Sequence, residues 1–177
     1  RLAGHLYRPP DAAPGQATPG IVMTGPVSSV KEQTLPHYAE RFADAGYTVL
    51  TFDPRGFGES EGEPRFHYDP WLIVSDFVSA AAYAMAREDV DAERVAVVGV
   101  CMGGGFALAT AARERRLAAC ASVSPAPTFS PRRASTAPDS IPADASTAAR
   151  SDGRVKSRRS PRNISRNSPG WDPAKAT

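Results

Sequence analysis

The sequence predicts an α/β fold built on a parallel sheet, and two observations support this. Four short apolar runs are nearly continuous, as strands buried on both faces require; they cover residues 21–24, 47–52, 94–99 and 117–123. Stretches with helical periodicity lie between these runs. Strands that alternate with helices in this way are typical of a parallel sheet.

Three helices are predicted, over residues 32–45, 70–86 and 102–113. The first has an apolar stripe at helical spacing, and the second begins with Pro70, which suits the first turn of a helix. The third is rich in Ala and Gly, so its backbone can approach the sheet closely. Residues 2–7 alternate in polarity, which indicates a further strand and is consistent with the second strand of a preceding hairpin.

Charge and proline content divide the chain of 177 residues into two parts. Residues 1–124 carry 11 Lys and Arg against 15 Asp and Glu, whereas residues 125–177 carry 10 against 4 and hold 8 of the 17 prolines. The second part has too few large apolar residues to offset its chain entropy. The sequence therefore predicts a partial α/β domain over 1–124 and a disordered Pro/Ser/Arg-rich tail over 125–177. The composition of the tail is also typical of out-of-frame reading of GC-rich DNA.

Composition also restricts the cellular setting and the partners. The two cysteines form no disulfide framework, which predicts a reducing, cytoplasmic environment. No apolar stretch approaches the roughly 18 residues of a membrane span, and the His, Cys and Asp residues form no metal-ligand cluster. The basic run at 156–159 is interpreted as solvated, so neither a specific nucleic acid nor a membrane is an expected partner.

A cysteine occupies the turn between the third long apolar run and the third helix. Residues 99–103 read G-x-C-x-G, with Cys101 flanked by Gly99 and Gly103 and followed by Gly104. This is the form of a nucleophile elbow with sulfur in place of the usual hydroxyl. Small residues are needed there because the backbone of the nucleophile is strained and its neighbours crowd it. The start of a helix favours a thiolate, and the N–H of Met102 would face an oxyanion.

Two further loops follow strands and carry a resemblance. Residues 53–62 read D-P-R-G-F-G-E-S-E-G, and residues 24–33 read T-G-P-V-S-S-V-K-E-Q. Together with the elbow, they resemble the α/β-hydrolase superfamily, closest to the dienelactone-hydrolase-like and X-Pro-dipeptidyl-peptidase-like hydrolases. The resemblance covers about residues 1–125 and implies a hydrolase sheet truncated after about the sixth strand. In its D-x-R-G-x-G-x-S-x-G loop, the residues expected to shape and brace the turn are Asp53, Arg55, Gly56, Gly58 and Ser60.

The resemblance also implies a chemistry. Cys101 would attack a small carboxylic ester or related acyl substrate, without a cofactor or a metal. The oxyanion donors would be the N–H groups of Met102 and Val27. Pro26 stands where the second donor loop begins, but it has no N–H to offer.

A base for this nucleophile is harder to find. The family order is nucleophile, acid and then histidine, yet His5, His37 and His67 all precede Cys101. His67 is the one candidate for a substitute base, because its loop lies near the D-x-R-G turn. We therefore expect triad catalysis to be impaired in this chain.

Two other functions are consistent with the sequence. A non-catalytic α/β module could bind a partner, and a redox-active protein could use Cys101 as its reactive thiol. A dinucleotide site is disfavoured although Gly103, Gly104 and Gly105 open a helix. In that motif Cys101 would occupy the place of a glycine and block close approach of a pyrophosphate.

Overall fold

The structure, a computed structural model, describes residues 1–126 and the backbone of residues 156–159. Within these residues a six-stranded sheet is flanked by three helices. The strands are β1 Gly4–Arg8, β2 Thr18–Thr24, β3 Thr48–Phe52, β4 Val90–Val100, β5 Ala119–Val123 and β6 Lys156–Arg159. The helices are α1 Leu35–Asp44, α2 Pro70–Met85 and α3 Met102–Arg113. None of these helices is long and apolar enough to cross a membrane.

The strand order β5-β4-β2-β3-β1-β6 confirms the predicted α/β fold with a largely parallel sheet. Neighbours among β5, β4, β2 and β3 run parallel, whereas β1 is antiparallel to β3. From β2 the chain passes through α1 to β3 on one side and later through α2 to β4 on the other. Such a reversal of strand order opens a crevice at the carboxyl ends of the strands.

Several element boundaries differ from the sequence prediction, and two of them have a clear physical cause. Helix α1 begins at Leu35 rather than at residue 32, because Pro36 favours the first turn and Gln33 N–H closes a separate turn onto Val30 O at 3.0 Å. Strand β4 begins at Val90 rather than at residue 94, because its first residues pair with Thr18 and Pro19 before a register shift. Hydrogen bonding to a distant strand decided this start.

Two strands, β1 and β6, form this edge of the sheet. β1 pairs with β3 in the antiparallel sense and does not form a hairpin with another strand of the described residues. β6 pairs parallel to β1 and lies in the segment for which the sequence predicts disorder. The rest of that segment, residues 127–155 and 160–177, lies outside the described residues.

Two clusters of buried apolar side chains cover the two faces of the sheet. The larger packs the sheet against α2 and α3, and in it the rings of Phe52 and Phe77 meet edge to face at 5.3 Å. The smaller packs the other face against α1 through Leu35, Ala39 and Ala43. The sheet is therefore fixed from both sides, and its strand ends are held in place.

Helix α2 has a side-chain cap that can be tested. A carboxylate oxygen of Asp69 accepts hydrogen bonds from the N–H groups of Trp71 and Leu72 at 2.8 and 3.1 Å. We expect Asp69→Ala to lower the free energy of unfolding by about 0.5–2 kcal/mol in urea denaturation, because two helix N–H groups lose their acceptor. Asp69→Asn keeps an acceptor and should cost less. Equal losses for the two variants would contradict this role of the side-chain oxygen.

Candidate active site

The carboxyl ends of β2 and β4 lie side by side at the reversal of strand order. Thr24 and Gly99 are partners in the parallel register; β2 ends at this pair, and β4 ends one residue later, at Val100. The two following loops contact each other, since Gly103 N–H donates to Gly25 O at 3.1 Å. The sequence-predicted elbow and the loop after β2 are therefore neighbours.

Cys101 forms a sharp corner between β4 and α3. Its backbone has φ 57° and ψ −121°, a sparsely populated conformation for a residue with a side chain. Three hydrogen bonds hold this corner. Cys101 N–H donates to Val123 O at 2.9 Å, and Cys101 O accepts from Gly104 N–H at 2.9 Å and from Ala126 N–H at 3.2 Å. The end of β5 thus fixes the backbone of the thiol residue.

The glycines around Cys101 are required by close backbone contacts. A Cβ atom on Gly99 would overlap the carbonyl of Gly103, and one on Gly104 would overlap the hydroxyl of Ser122. A Cβ on Gly103 would stand 2.5 Å from Thr24 O and 2.6 Å from Gly25 O. The chain can turn this tightly, and α3 can approach β2 this closely, only because these positions lack side chains.

The first turn of α3 offers a free donor beside the thiol. Gly103 and Gly104 use their N–H groups on Gly25 O and Cys101 O, whereas Met102 N–H has no backbone acceptor among the described residues. Unpaired N–H groups and the positive end of the dipole make this helix terminus suitable for negative charge. An anion formed next to Cys101 would therefore be stabilised there.

Val27 lies in a tight turn after β2. Ser29 donates to Pro26 O through its N–H at 3.1 Å and through its hydroxyl at 3.0 Å, which closes the turn. The side chain of Val27 is 46% exposed. This turn and the start of α3 are joined through Gly25, so Val27 and Met102 belong to one region of the molecule.

A small pocket of about 10 Å³, roughly the space of one water molecule, lies beside these loops. Its aromatic wall is formed by Phe57, Tyr68 and Phe106, with ring centroids 5.6 and 5.7 Å apart for the pairs that include Tyr68. Burial raises the pKa of Tyr68 to about 12, and the neighbouring Cys101 thiolate contributes to this shift. The phenol therefore stays protonated at neutral pH.

A buried ion cluster lies beneath the loop after β3. Lys31 is 1% exposed and Asp53 is fully buried; Lys31 Nζ lies 2.8 Å from Asp53 Oδ2, and Lys31 N–H donates to Asp53 Oδ1 at 2.7 Å. Burial alone would lower the pKa of Lys31, but its hydrogen bonds to Asp53, Glu32 and Glu59 outweigh that effect and raise it. The cluster joins the loop after β2 to the loop after β3, and so positions both.

Arg55 holds the same loop to α2. Its backbone N–H, Nε and Nη2 donate to the Asp76 carboxylate at 2.8, 2.8 and 2.6 Å. Burial raises the pKa of Asp76, while these hydrogen bonds act in the opposite direction. The Ser60 hydroxyl donates to Asp53 O at 2.6 Å and accepts from Ala3 N–H at 2.8 Å.

The remaining residues of the D-x-R-G-x-G turn shape its backbone. Gly56 and Gly58 have positive φ values of 75° and 50°. Glu59 and Glu61 are each 62% exposed, and Glu59 pairs with Lys31 Nζ.

The three histidines are spread over the domain. His67 is exposed and directly precedes Tyr68 in the chain, and His37 is exposed on α1. His5 is 3% exposed, because β1 lies between β3 and β6, and its Nε2 lies 3.6 Å from Glu32 Oε1. No set of three or more His, Cys, Asp or Glu side chains in the described residues is placed to hold a metal ion.

Sequence reasoning missed three residues that hold or line the loops of the candidate site. In the sequence, Lys31 is one of several charged residues in a loop, and no neighbouring residue indicates that it is buried. Asp76 is a lone carboxylate on an otherwise apolar helix, and that mismatch was the available signal. Tyr68 directly follows His67, the candidate base, but only tertiary packing brings the ring of Tyr68 against Phe106.

Comparison with known proteins supports the resemblance of the motifs. The family described as alpha/beta hydrolase fold matches residues 24–174. The quorum-quenching protein AidA of Acinetobacter baumannii is 42% identical over 125 residues, which are 71% of this chain and 40% of that protein. The thiohydrolase aneE of Aspergillus aculeatus is 36% identical over 126 residues, 71% of this chain and 38% of that protein.

A solved structure of an α/β hydrolase also has a fold similar to that of this chain. The crystal structure of the α/β hydrolase GrgF from Penicillium sp. sh18 superposes with a TM-score of 0.62 at 29% identity, over 77% of this chain and 50% of that one. The present chain spans about two fifths of the length of the two curated relatives.

Proposed function

Because the chain belongs to the α/β-hydrolase family, we propose that it is an acyl hydrolase in which Cys101 attacks a carboxylic ester or a related acyl substrate. The observation that supports this most directly is the strained corner at Cys101, with φ 57° at the junction of β4 and α3. Strain of this kind persists only where the surrounding structure enforces it, and it presents the side chain at the tip of the turn.

The proposed reaction has two stages. The Cys101 sulfur forms a bond to the acyl carbon, and the carbonyl π electrons move to oxygen, where the N–H groups of Met102 and Val27 donate to it. The tetrahedral species then expels the alcohol or thiol, which takes up the proton that the Cys101 thiol lost on attack, and leaves a thioester on Cys101. Attack by water releases the acid and restores the thiol.

The second stage is expected to be the slow one. Deacylation needs a base to activate water, and general-base catalysis contributes about 10²–10⁴-fold. Of the three histidines, we assign His67 as the substitute base to be tested, because its neighbour Tyr68 lines the pocket. The names of AidA, aneE and GrgF point to different activities, so the proposed substrate class stays at the level of acyl compounds.

The test is the time course of p-nitrophenol release when the full chain is mixed with p-nitrophenyl acetate. We expect a burst of one equivalent followed by slow turnover, because acylation of Cys101 outruns deacylation. Cys101→Ala should remove the burst. Cys120→Ala is the matched control and should keep it, since burial raises the pKa of the Cys120 thiol and leaves less thiolate.

Other results would contradict the proposal. A burst that survives in Cys101→Ala would exclude Cys101 as the nucleophile. No Cys101-dependent release from a chain that circular dichroism shows to be folded would favour a non-catalytic binding module. Rapid oxidation of Cys101 without acylation would favour a redox-active thiol. His67→Ala should slow the later phase and leave the burst intact.

A further inference from the structure

The position of Tyr68 points to a role in the chemistry at Cys101. Its ring is held between Phe57 and Phe106, at centroid distances of 5.6 and 5.7 Å. Phe106 belongs to α3, the helix that starts immediately after Cys101. The ring is therefore fixed from the D-x-R-G loop on one side and from the nucleophile's own helix on the other.

The hydroxyl of Tyr68 is free to act on a ligand. In the described part of the chain it makes no hydrogen bond. The ring packs on Phe106, on the first turns of the helix that follows Cys101, and the charge of Cys101 contributes to the raised pKa of the phenol. Tyr68 lines the same pocket as Gly25 and Pro26, which begin the loop expected to carry an oxyanion donor. Pro26 has no N–H, so this wall of the pocket lacks the backbone donor that another residue would supply there.

We propose that the Tyr68 hydroxyl is a catalytic group that donates a hydrogen bond to the carbonyl oxygen of the acyl substrate while Cys101 attacks. This inference rests on the proposed function. The carbon–sulfur bond forms, the π electrons of the carbonyl move to oxygen, and that oxygen accepts the hydrogen bond. No proton leaves Tyr68, and the collapse of the oxyanion expels the leaving group.

Two reactions of the same thiol separate this role from its alternatives. Acylation of Cys101 by p-nitrophenyl acetate passes through an oxyanion, whereas alkylation by iodoacetamide is a direct displacement at carbon without one. Tyr68→Phe removes only the hydroxyl and keeps the ring against Phe57 and Phe106. Tyr47→Phe is the control, because Tyr47 is an exposed tyrosine between α1 and β3.

We expect Tyr68→Phe to slow single-turnover acylation of the full chain by about 10²–10³-fold, the usual loss for one oxyanion donor, and to leave alkylation unchanged. Unchanged acylation would overturn the inference. An equal fall in both rates would also overturn it, because Tyr68 would then act on the thiol itself. If the wild-type chain is alkylated at Cys101 but never acylated there, the proposed function fails together with this inference. Acylated wild-type protein with an unaffected Tyr68→Phe variant refutes only the inference.

Discussion

Lys31→Met is expected to lower the free energy of unfolding by about 3–5 kcal/mol, because it leaves the carboxylate of Asp53 buried without its counter-charge. Lys31 is 1% exposed and Asp53 is fully buried, so water cannot replace the ammonium group without opening the structure. The remaining hydrogen bonds to Asp53, from the N–H groups of Lys31 and Glu59, do not neutralise its charge. The loops after β2 and β3 should loosen together.

Urea denaturation followed by circular dichroism measures this loss. Glu59→Gln removes an exposed partner of the same ammonium group and should change stability by less than about 1 kcal/mol. The double variant Lys31→Met/Asp53→Asn removes the stranded charge but keeps an oxygen acceptor for one of the two backbone N–H groups. It should recover part of the lost stability. A Lys31→Met variant as stable as Glu59→Gln would refute the importance of the buried pair.

Gly103→Ala should damage both stability and chemistry. The added Cβ would lie 2.5 Å from Thr24 O and 2.6 Å from Gly25 O, and both are backbone atoms that cannot rotate away. The start of α3 would have to move away from β2. We expect a loss of about 1–3 kcal/mol from overpacking, and a fall of about 10²-fold in Cys101 acylation from a displacement on the order of 1 Å.

Leu108→Ala is the matched control on the same helix. Its side chain is 52% exposed, so truncation should affect the burst and the urea midpoint little. Acylation of Gly103→Ala at the wild-type rate would mean that the elbow tolerates a wider approach of α3 to β2. In that case the close contact would not be what positions Cys101.

Sequence reasoning located the elements and the corner because both leave local signals. Apolar runs mark β2 to β5, and the glycines around Cys101 follow from the need for close backbone approach. The exact start of β4 depends on pairing with Thr18, far away in the chain, and no local pattern encodes it. Cross-strand hydrogen bonds therefore set a boundary that periodicity cannot set.

The chemical environment of the site was harder to predict, because it too depends on contacts between residues that are distant in the sequence. Lys31 and Asp53 are 22 residues apart and meet only when the loops of two strands converge. Tyr68 and Cys101 are separated by the whole of α2 and β4. Residue type and spacing predict Cys101 as the nucleophile, whereas the groups that pack near it are selected by tertiary structure.

Strand β5 ends the sheet of the described residues on one side, and its end is hydrogen-bonded to the corner at Cys101. No strand of the described residues pairs with its outer side, and a free strand edge can add a strand from another chain. The backbone of Cys101 is bonded to Val123 and Ala126 at the end of this same strand. Self-association at β5 would therefore act one strand away from Cys101. If chains associate at this edge, the specific activity per chain should vary with protein concentration.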